Sequence, residues 1–234
     1  MQDSHLGQIV VLNGAPRAGK SSIATAIQES FDGVWMNLGI DRFKAMTPEQ
    51  FQPGIGLRPG GERPDLEPLV QALYSAMYQA IAAHSRLGVN VVADTTHHDH
   101  YSQPLNILAT CAGIASGLPV LFVGVRCPIG AVMERRIQTW GWGYDDDGSI
   151  PGPVMRWQEA VHRPGIYDLE LDTSQRSPAE CVALIFERLA SGRPATAFPE
   201  LAAAPLCRPR SDAERSEHRN PLAPAASCRK GREL

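Results

Sequence analysis

The chain has 234 residues, 43% of them apolar and 20% charged, with a formal net charge of −3. That is enough chain to bury a sizeable core in one large domain or two small ones, and the faint acidity gives no basis for a general affinity for nucleic acid or anionic membrane. No apolar run is long enough to span a bilayer, the N-terminal MQDSHLGQ lacks the pattern of a secretory leader, and five scattered cysteines fit a reducing cytoplasm rather than a metal or disulfide framework.

In chain order, the apolar run at 9–12 predicts a first strand, and a helix follows at 19–31. Strands at 35–40, 89–93, 120–125 and 167–171 then alternate with helices at 66–85, 103–114, 129–139, 154–161 and 178–189. Within 66–85, Leu69, Leu73, Met77 and Ile81 recur at four-residue steps and give one apolar face. The alternation predicts an α/β fold, a parallel sheet flanked by helices. Strands so continuously apolar need cover on both faces. Two stretches break the rhythm. Residues 46–65, MTPEQFQPGIGLRPGGERPD, are too long and too rich in Gly and Pro for a simple connection and read as a binding loop. Residues 140–153, WGWGYDDDGSIPGP, form a second insert. From Arg193 the chain turns to Ala, Pro and Arg, so the expected organisation is a domain over 1–192 and a mostly disordered tail over 193–234.

Between the first strand and the first helix lies Gly14-Ala15-Pro16-Arg17-Ala18-Gly19-Lys20-Ser21, followed by Ser22. It matches GxxxxGK[ST] at every fixed position. The glycines let successive backbone N–H groups turn inward as a nest for anionic oxygens, and the helix aims its positive end at the same point. Lys20 is the side chain to reach the β- and γ-phosphates, and the Ser21 hydroxyl is a ligand for Mg²⁺. A flexible turn before a helix is the alternative; the strand-to-helix context favours a loop for a nucleoside triphosphate. The apolar stretch GVNVVADTT (88–96) ends in an acid, Asp94. If that strand neighbours the first, Asp94 joins Ser21 in holding the metal; otherwise it caps the next helix. Asp41, after NLGI, is likewise either a base that takes the proton of an acceptor hydroxyl or a helix cap, and spacing alone does not choose.

The segments IVVLNGAPRAGKSS, GIDRF, VVAD, VGVRCPIGAVMERR and YDLELDTS, in this order, resemble the chloramphenicol phosphotransferase family of P-loop small-molecule kinases, over most of residues 8–189. The resemblance implies a three-layer P-loop NTPase fold with a parallel five-stranded sheet in the order 2-3-1-4-5. It also implies an ATP- and Mg²⁺-dependent phosphotransferase acting on a small-molecule hydroxyl, with Asp41 as catalytic base and Gly14 to Ser22 holding ATP. In Glu134-Arg135-Arg136 it points to Arg136 first, and then Arg135, as the group that neutralises charge on the transferring phosphoryl. The chain departs from the family at Trp140, where a second arginine is expected, and in the 46–65 loop, where acceptor contacts would lie. Two other readings stay open: a nucleotide or metabolite kinase with a different acceptor, and a non-catalytic ATP-binding module that signals through the tail.

His97-His98-Asp99-His100 has metal-ligand residue types, but adjacent side chains seldom converge on one ion, so it reads as a polar loop at the mouth of the cleft. Asp145-Asp146-Asp147 reads as a solvated turn. Trp140, Trp142 and Tyr144, in the 140–153 insert expected to act as a lid, either stack on substrate or anchor that lid to the domain. Arg126, ending the fourth strand, is a further candidate for the phosphates. Asp172-Thr173-Ser174 is expected near the adenine, by its position in related kinases.

Overall fold

The computed structural model describes residues 5–52 and 63–206. Strands and helices alternate as β1 (Ile9–Asn13), α1 (Lys20–Ser30), β2 (Trp35–Asn37), α2 (Ile40–Ala45), α3 (Glu67–Arg86), β3 (Asn90–Thr95), α4 (Ile107–Ile114), β4 (Val120–Arg126), α5 (Ile129–Trp140), α6 (Gly152–Ala160), β5 (Leu169–Asp172), α7 (Pro178–Ala190) and α8 (Ala197–Ala203). The strands form one parallel sheet in the order β2-β3-β1-β4-β5, the order the resemblance implies. Register puts Leu12 of β1 beside Asp94 of β3, and Asn13 beside Gly124 of β4.

β1 is buried at all five positions because it is the central strand. Its side chains alternate between two cores, as strand geometry demands. Ile9 and Val11 face Met77, Tyr78 and Ile81 of α3, together with α4 and α8. Val10 and Leu12 face Ile23 and Ile27 of α1, Met133 of α5 and Ile185 of α7. The result is three layers, with every strand C-terminus, and so every loop that carries chemistry, at one edge.

Four elements differ from the sequence reading. β2 stops at Asn37 and Gly39 opens helix α2, so Asp41 lies in a first helical turn rather than at a strand end. α4 begins at Ile107 rather than at residue 103. The core face of α3 is Val70, Tyr74, Met77, Tyr78 and Ile81, while Leu73 turns toward the cleft. Residues 197–203, read as part of the tail, form α8. Phe198 inserts against Tyr78 and Phe122, with ring centroids 6.0 and 5.2 Å away. The helix start is pinned by Asp168, whose Oδ1 accepts from the amides of Thr196 (2.7 Å) and Ala197 (3.1 Å) while Oδ2 accepts from the Phe122 amide (2.9 Å). The rest of the tail, 207–234, and residues 53–62 of the expected binding loop lie outside the described residues.

Candidate active site

The site begins where β1 ends. At Gly14 a Cβ would lie 2.3 Å from the Val125 carbonyl oxygen, so only glycine lets the loop leave the sheet this close to β4. The loop re-enters helix at Gly19, whose φ of 93° is left-handed and closed to most side chains. No side chain caps α1 and no acid lies in its first turn. Its first amides are therefore left for an anion. Arg17 also holds a positive φ, 69°, a conformation that costs an L-residue about 1 kcal/mol.

Lys20 is 6% exposed, unusually low for a lysine. Its Nζ donates to the carbonyls of Gly14 (2.8 Å) and Ala15 (3.0 Å) and lies 3.6 Å from Asp94 Oδ1. Burial pushes its ammonium below the usual lysine range, and the Asp94 and Asp41 carboxylates oppose that shift. Ser21 Oγ donates to Asp94 Oδ2 at 2.6 Å. The adjacency of β1 and β3 thus brings together a lysine, a hydroxyl and a carboxylate predicted from separate motifs. A donating hydroxyl keeps its lone pairs, so Ser21 can ligate a cation without giving up Asp94. An oxygen-only pair fits Mg²⁺, which takes one or two protein ligands and completes its shell with water and phosphate. Among the described residues no group of three or more His, Cys, Asp or Glu is arranged to hold a metal.

Asp41 lines the same cleft of about 640 Å³ as Lys20, Ser21 and Asp94. Residues 97–100 are a loop with Asp99 and His100 exposed, but His97 and His98 are buried rather than solvated. His97 is 1% exposed, its ring 4.6 Å from that of Tyr74 and its Nε2 2.9 Å from the Tyr78 hydroxyl. His98 lines the cleft, stacked on Tyr101 at 4.3 Å and meeting Trp157 edge-on at 4.8 Å. Burial, with repulsion from the neighbouring histidine, pushes His97 down to about 3 and His98 down to about 4. Both are neutral near pH 7, so this wall is aromatic and uncharged.

One residue behind the site was not legible as functional. Asn13, 1% exposed, donates through Nδ2 to the Val161 carbonyl (2.9 Å) and the Tyr167 hydroxyl (3.0 Å), and its Oδ1 accepts from the His97 amide (2.7 Å). It therefore ties the start of the loop to the segment that carries His98 and to the end of α6, which carries Trp157. The only hint in the sequence was a polar residue closing an apolar run.

The lid arginines are distributed differently from the expectation. Arg135 reaches the cleft: Nη1 donates to Thr173 Oγ1 (3.0 Å) and the Arg17 carbonyl (3.2 Å), and Nη2 donates to the Thr173 carbonyl (2.6 Å). Thr173 Oγ1 donates in turn to the Ala18 carbonyl at 2.7 Å, which brings the expected 172–174 segment against the loop. Arg136 turns to an adjoining lobe and lies 4.7 Å from the Trp140 ring and 5.7 Å from that of Trp142. Adjacent helical residues point about 100° apart, so one faces the cleft and the other does not. Trp140 and Trp142 stack on each other at 5.9 Å, which favours anchoring of the lid. Arg126 pairs with Glu170 of the neighbouring strand and is not on the cleft wall.

A family model described as chloramphenicol phosphotransferase-like protein matches residues 7–190. A protein of Mycobacterium tuberculosis H37Rv, named as a candidate O-phosphotransferase, is 29% identical, the match covering 72% of this chain and 76% of that one. Among solved structures, the Mycobacterium tuberculosis APS kinase in complex with AMPPNP and APS superposes with a TM-score of 0.54 at 18% identity, over 79% of this chain and 98% of that one. Shikimate kinase from Acinetobacter baumannii, in complex with shikimate, gives 0.53 at 12% identity, over 81% and 96%. Both share this fold.

Proposed function

The chain belongs to the chloramphenicol phosphotransferase-like family, and from that premise we propose that it moves the γ-phosphoryl group of ATP to a hydroxyl of a small molecule. One observation carries the reading: Lys20, the Ser21–Asp94 pair and Asp41 line a single cleft, with the start of an uncapped helix beside them. Lys20 and the free backbone N–H groups of the loop Gly14 to Ser22, which exclude Pro16, bind the β- and γ-phosphates. Ser21 and Asp94 would hold Mg²⁺, which when bound neutralises phosphate charge. Asp41 orients the acceptor hydroxyl and takes its proton as the hydroxyl oxygen bonds to the γ-phosphorus. The bond from that phosphorus to the β–γ bridging oxygen breaks, and ADP leaves. Arg135 takes the phosphate-facing role expected of Arg136. The transition state is loose, so positioning and charge stabilisation supply most of the acceleration and Asp41 the smaller share.

The neutral wall of His98, Tyr101 and Trp157 suits an acceptor that presents an uncharged, partly apolar face. No helix among the described residues is long and apolar enough to cross a membrane. Cys111, Cys127 and Cys181 are buried free thiols, in keeping with a cytoplasmic enzyme. The test is ADP release measured over a panel of hydroxyl acceptors. Asp41→Asn should keep triphosphate affinity and lose about 10²- to 10⁴-fold in turnover. Unchanged turnover removes Asp41 from the chemistry. A wild-type chain that binds ATP but responds to no acceptor favours the regulatory module instead.

A further inference from the structure

Among the described residues nothing accepts a hydrogen bond from the Arg17 guanidinium. The group lies over the Trp140 ring, 4.3 Å from its centroid, on the wall of the cleft shared with Lys20, Ser21 and Asp41. Lys20 and Arg135, which line the same cleft, must exchange existing hydrogen-bond or ion-pair partners to meet a phosphate, whereas the Arg17 guanidinium need not. A cation on an aromatic face is held by a weak attraction that uses none of its N–H donors. A second guanidinium, that of Arg136, lies 4.7 Å from the same ring, so the departure of either relieves repulsion between two like charges. The backbone adds an independent observation. Arg17 stands at φ 69°, where glycine would sit without strain, and Arg135 fixes its carbonyl, so a strained, clamped base projects this side chain into the cleft.

Resting on the phosphotransferase reading above, we propose that the Arg17 side chain is a phosphate-contacting group, distinct in role from the backbone of its loop. It leaves the Trp140 face and forks onto the oxygens of the terminal phosphoryl group when a nucleoside triphosphate occupies the loop. A planar fork matches two phosphate oxygens, and the equatorial oxygens of the transferring group carry the charge that most needs a partner. Trp140 serves as the resting platform from which the guanidinium is released.

The test is calorimetric titration of wild type, Arg17→Gly and Arg17→Lys with MgADP and with the Mg²⁺ complex of the β,γ-imido analogue of ATP. Glycine accepts the positive φ, so Arg17→Gly deletes the side chain without threatening the fold, and its MgADP affinity is the control for folding. Wild-type MgADP affinity should be kept within about threefold, while affinity for the imido analogue falls about tenfold or more and turnover falls about 10²- to 10³-fold. Arg17→Lys should recover part of the affinity but little of the turnover, because it restores charge without the fork. Equal binding of the analogue by wild type and Arg17→Gly overturns the proposal and leaves the phosphotransferase reading intact. Equal weakening of both nucleotides also overturns it, since the side chain would then serve the loop rather than the terminal phosphate. A wild type that binds neither nucleotide overturns the function and this inference together.

Discussion

Replacing Asn13 with alanine should cost about 3 to 5 kcal/mol of stability. The substitution removes both Nδ2 donations, to the Val161 carbonyl and the Tyr167 hydroxyl, and the Oδ1 acceptor of the His97 amide. Val161 is 0% and His97 1% exposed. Water cannot readily replace the lost partner, and each buried group left unsatisfied costs about 1 to 3 kcal/mol. The Tyr167 hydroxyl keeps a partner in His162 Nδ1, 2.9 Å away, and Thr95 Oγ1 keeps the Leu12 carbonyl, so neither adds a full term. A small cavity adds the remainder. Urea unfolding followed by circular dichroism gives the difference directly. In a chain of this size the melting temperature should drop by roughly 10 °C. A loss below about 1 kcal/mol would mean that the loop, the β3 end and the α6 end are not held by this side chain, and the reasoning would fail.

Mild acid should weaken the fold through its buried histidines. His97, His98 and His162 are held neutral, down to about 3, 4 and 4, chiefly by burial, whereas the unfolded chain protonates them near 6.5. The unfolded state thus binds more protons below pH 6.5, so stability falls as pH drops from about 6.5 toward about 4, at up to about 1.4 kcal/mol per pH unit for each of the buried His97 and His98 and less for the half-buried His162. Unfolding curves taken at pH 7.5 and pH 5 check this, and equal stabilities would contradict the buried, neutral assignment. Phe198→Ala should cost about 3 to 5 kcal/mol, because the ring fills a core position 3% exposed between Tyr78 and Phe122. An unchanged melting temperature would show that α8 is not part of the core.

Much of the framework could be read from local pattern. β1 and β4 are apolar runs long enough to need cover on both faces, and the loop between β1 and α1 carries its chemistry in eight consecutive residues. Where pattern failed, the deciding contact was elsewhere in the chain. Trp35 to Ile40 reads as one apolar stretch, yet Gly39 divides it into the end of a strand and the start of a helix. Nothing in AFPELAA distinguishes it from the Ala- and Pro-rich residues that follow, because what makes it a helix is a slot beside Phe122 and two hydrogen bonds from backbone amides to Asp168. Arg135 and Arg136 are indistinguishable by composition; a single step of helical rotation sends one to Thr173 and the other to the tryptophans. Asn13 reaches Tyr167 across 154 residues, a pairing that no window on the sequence can register.

Helix α8 also bears on how the protein is made. Its Phe198 follows Phe122 by 76 residues, an interval of roughly 4 to 15 s at ordinary rates of translation. Through that interval a nascent chain already holds β1, the phosphate loop and β4, while the aromatic notch between Tyr78 and Phe122 stays open to whatever is nearby. The half of the sheet that faces α1 waits almost as long, because its core is completed by Ile185 of α7. The other half closes only once Phe198 is in the chain, so a nascent chain halted between β4 and α8 presents an apolar slot beside Phe122 and Tyr78.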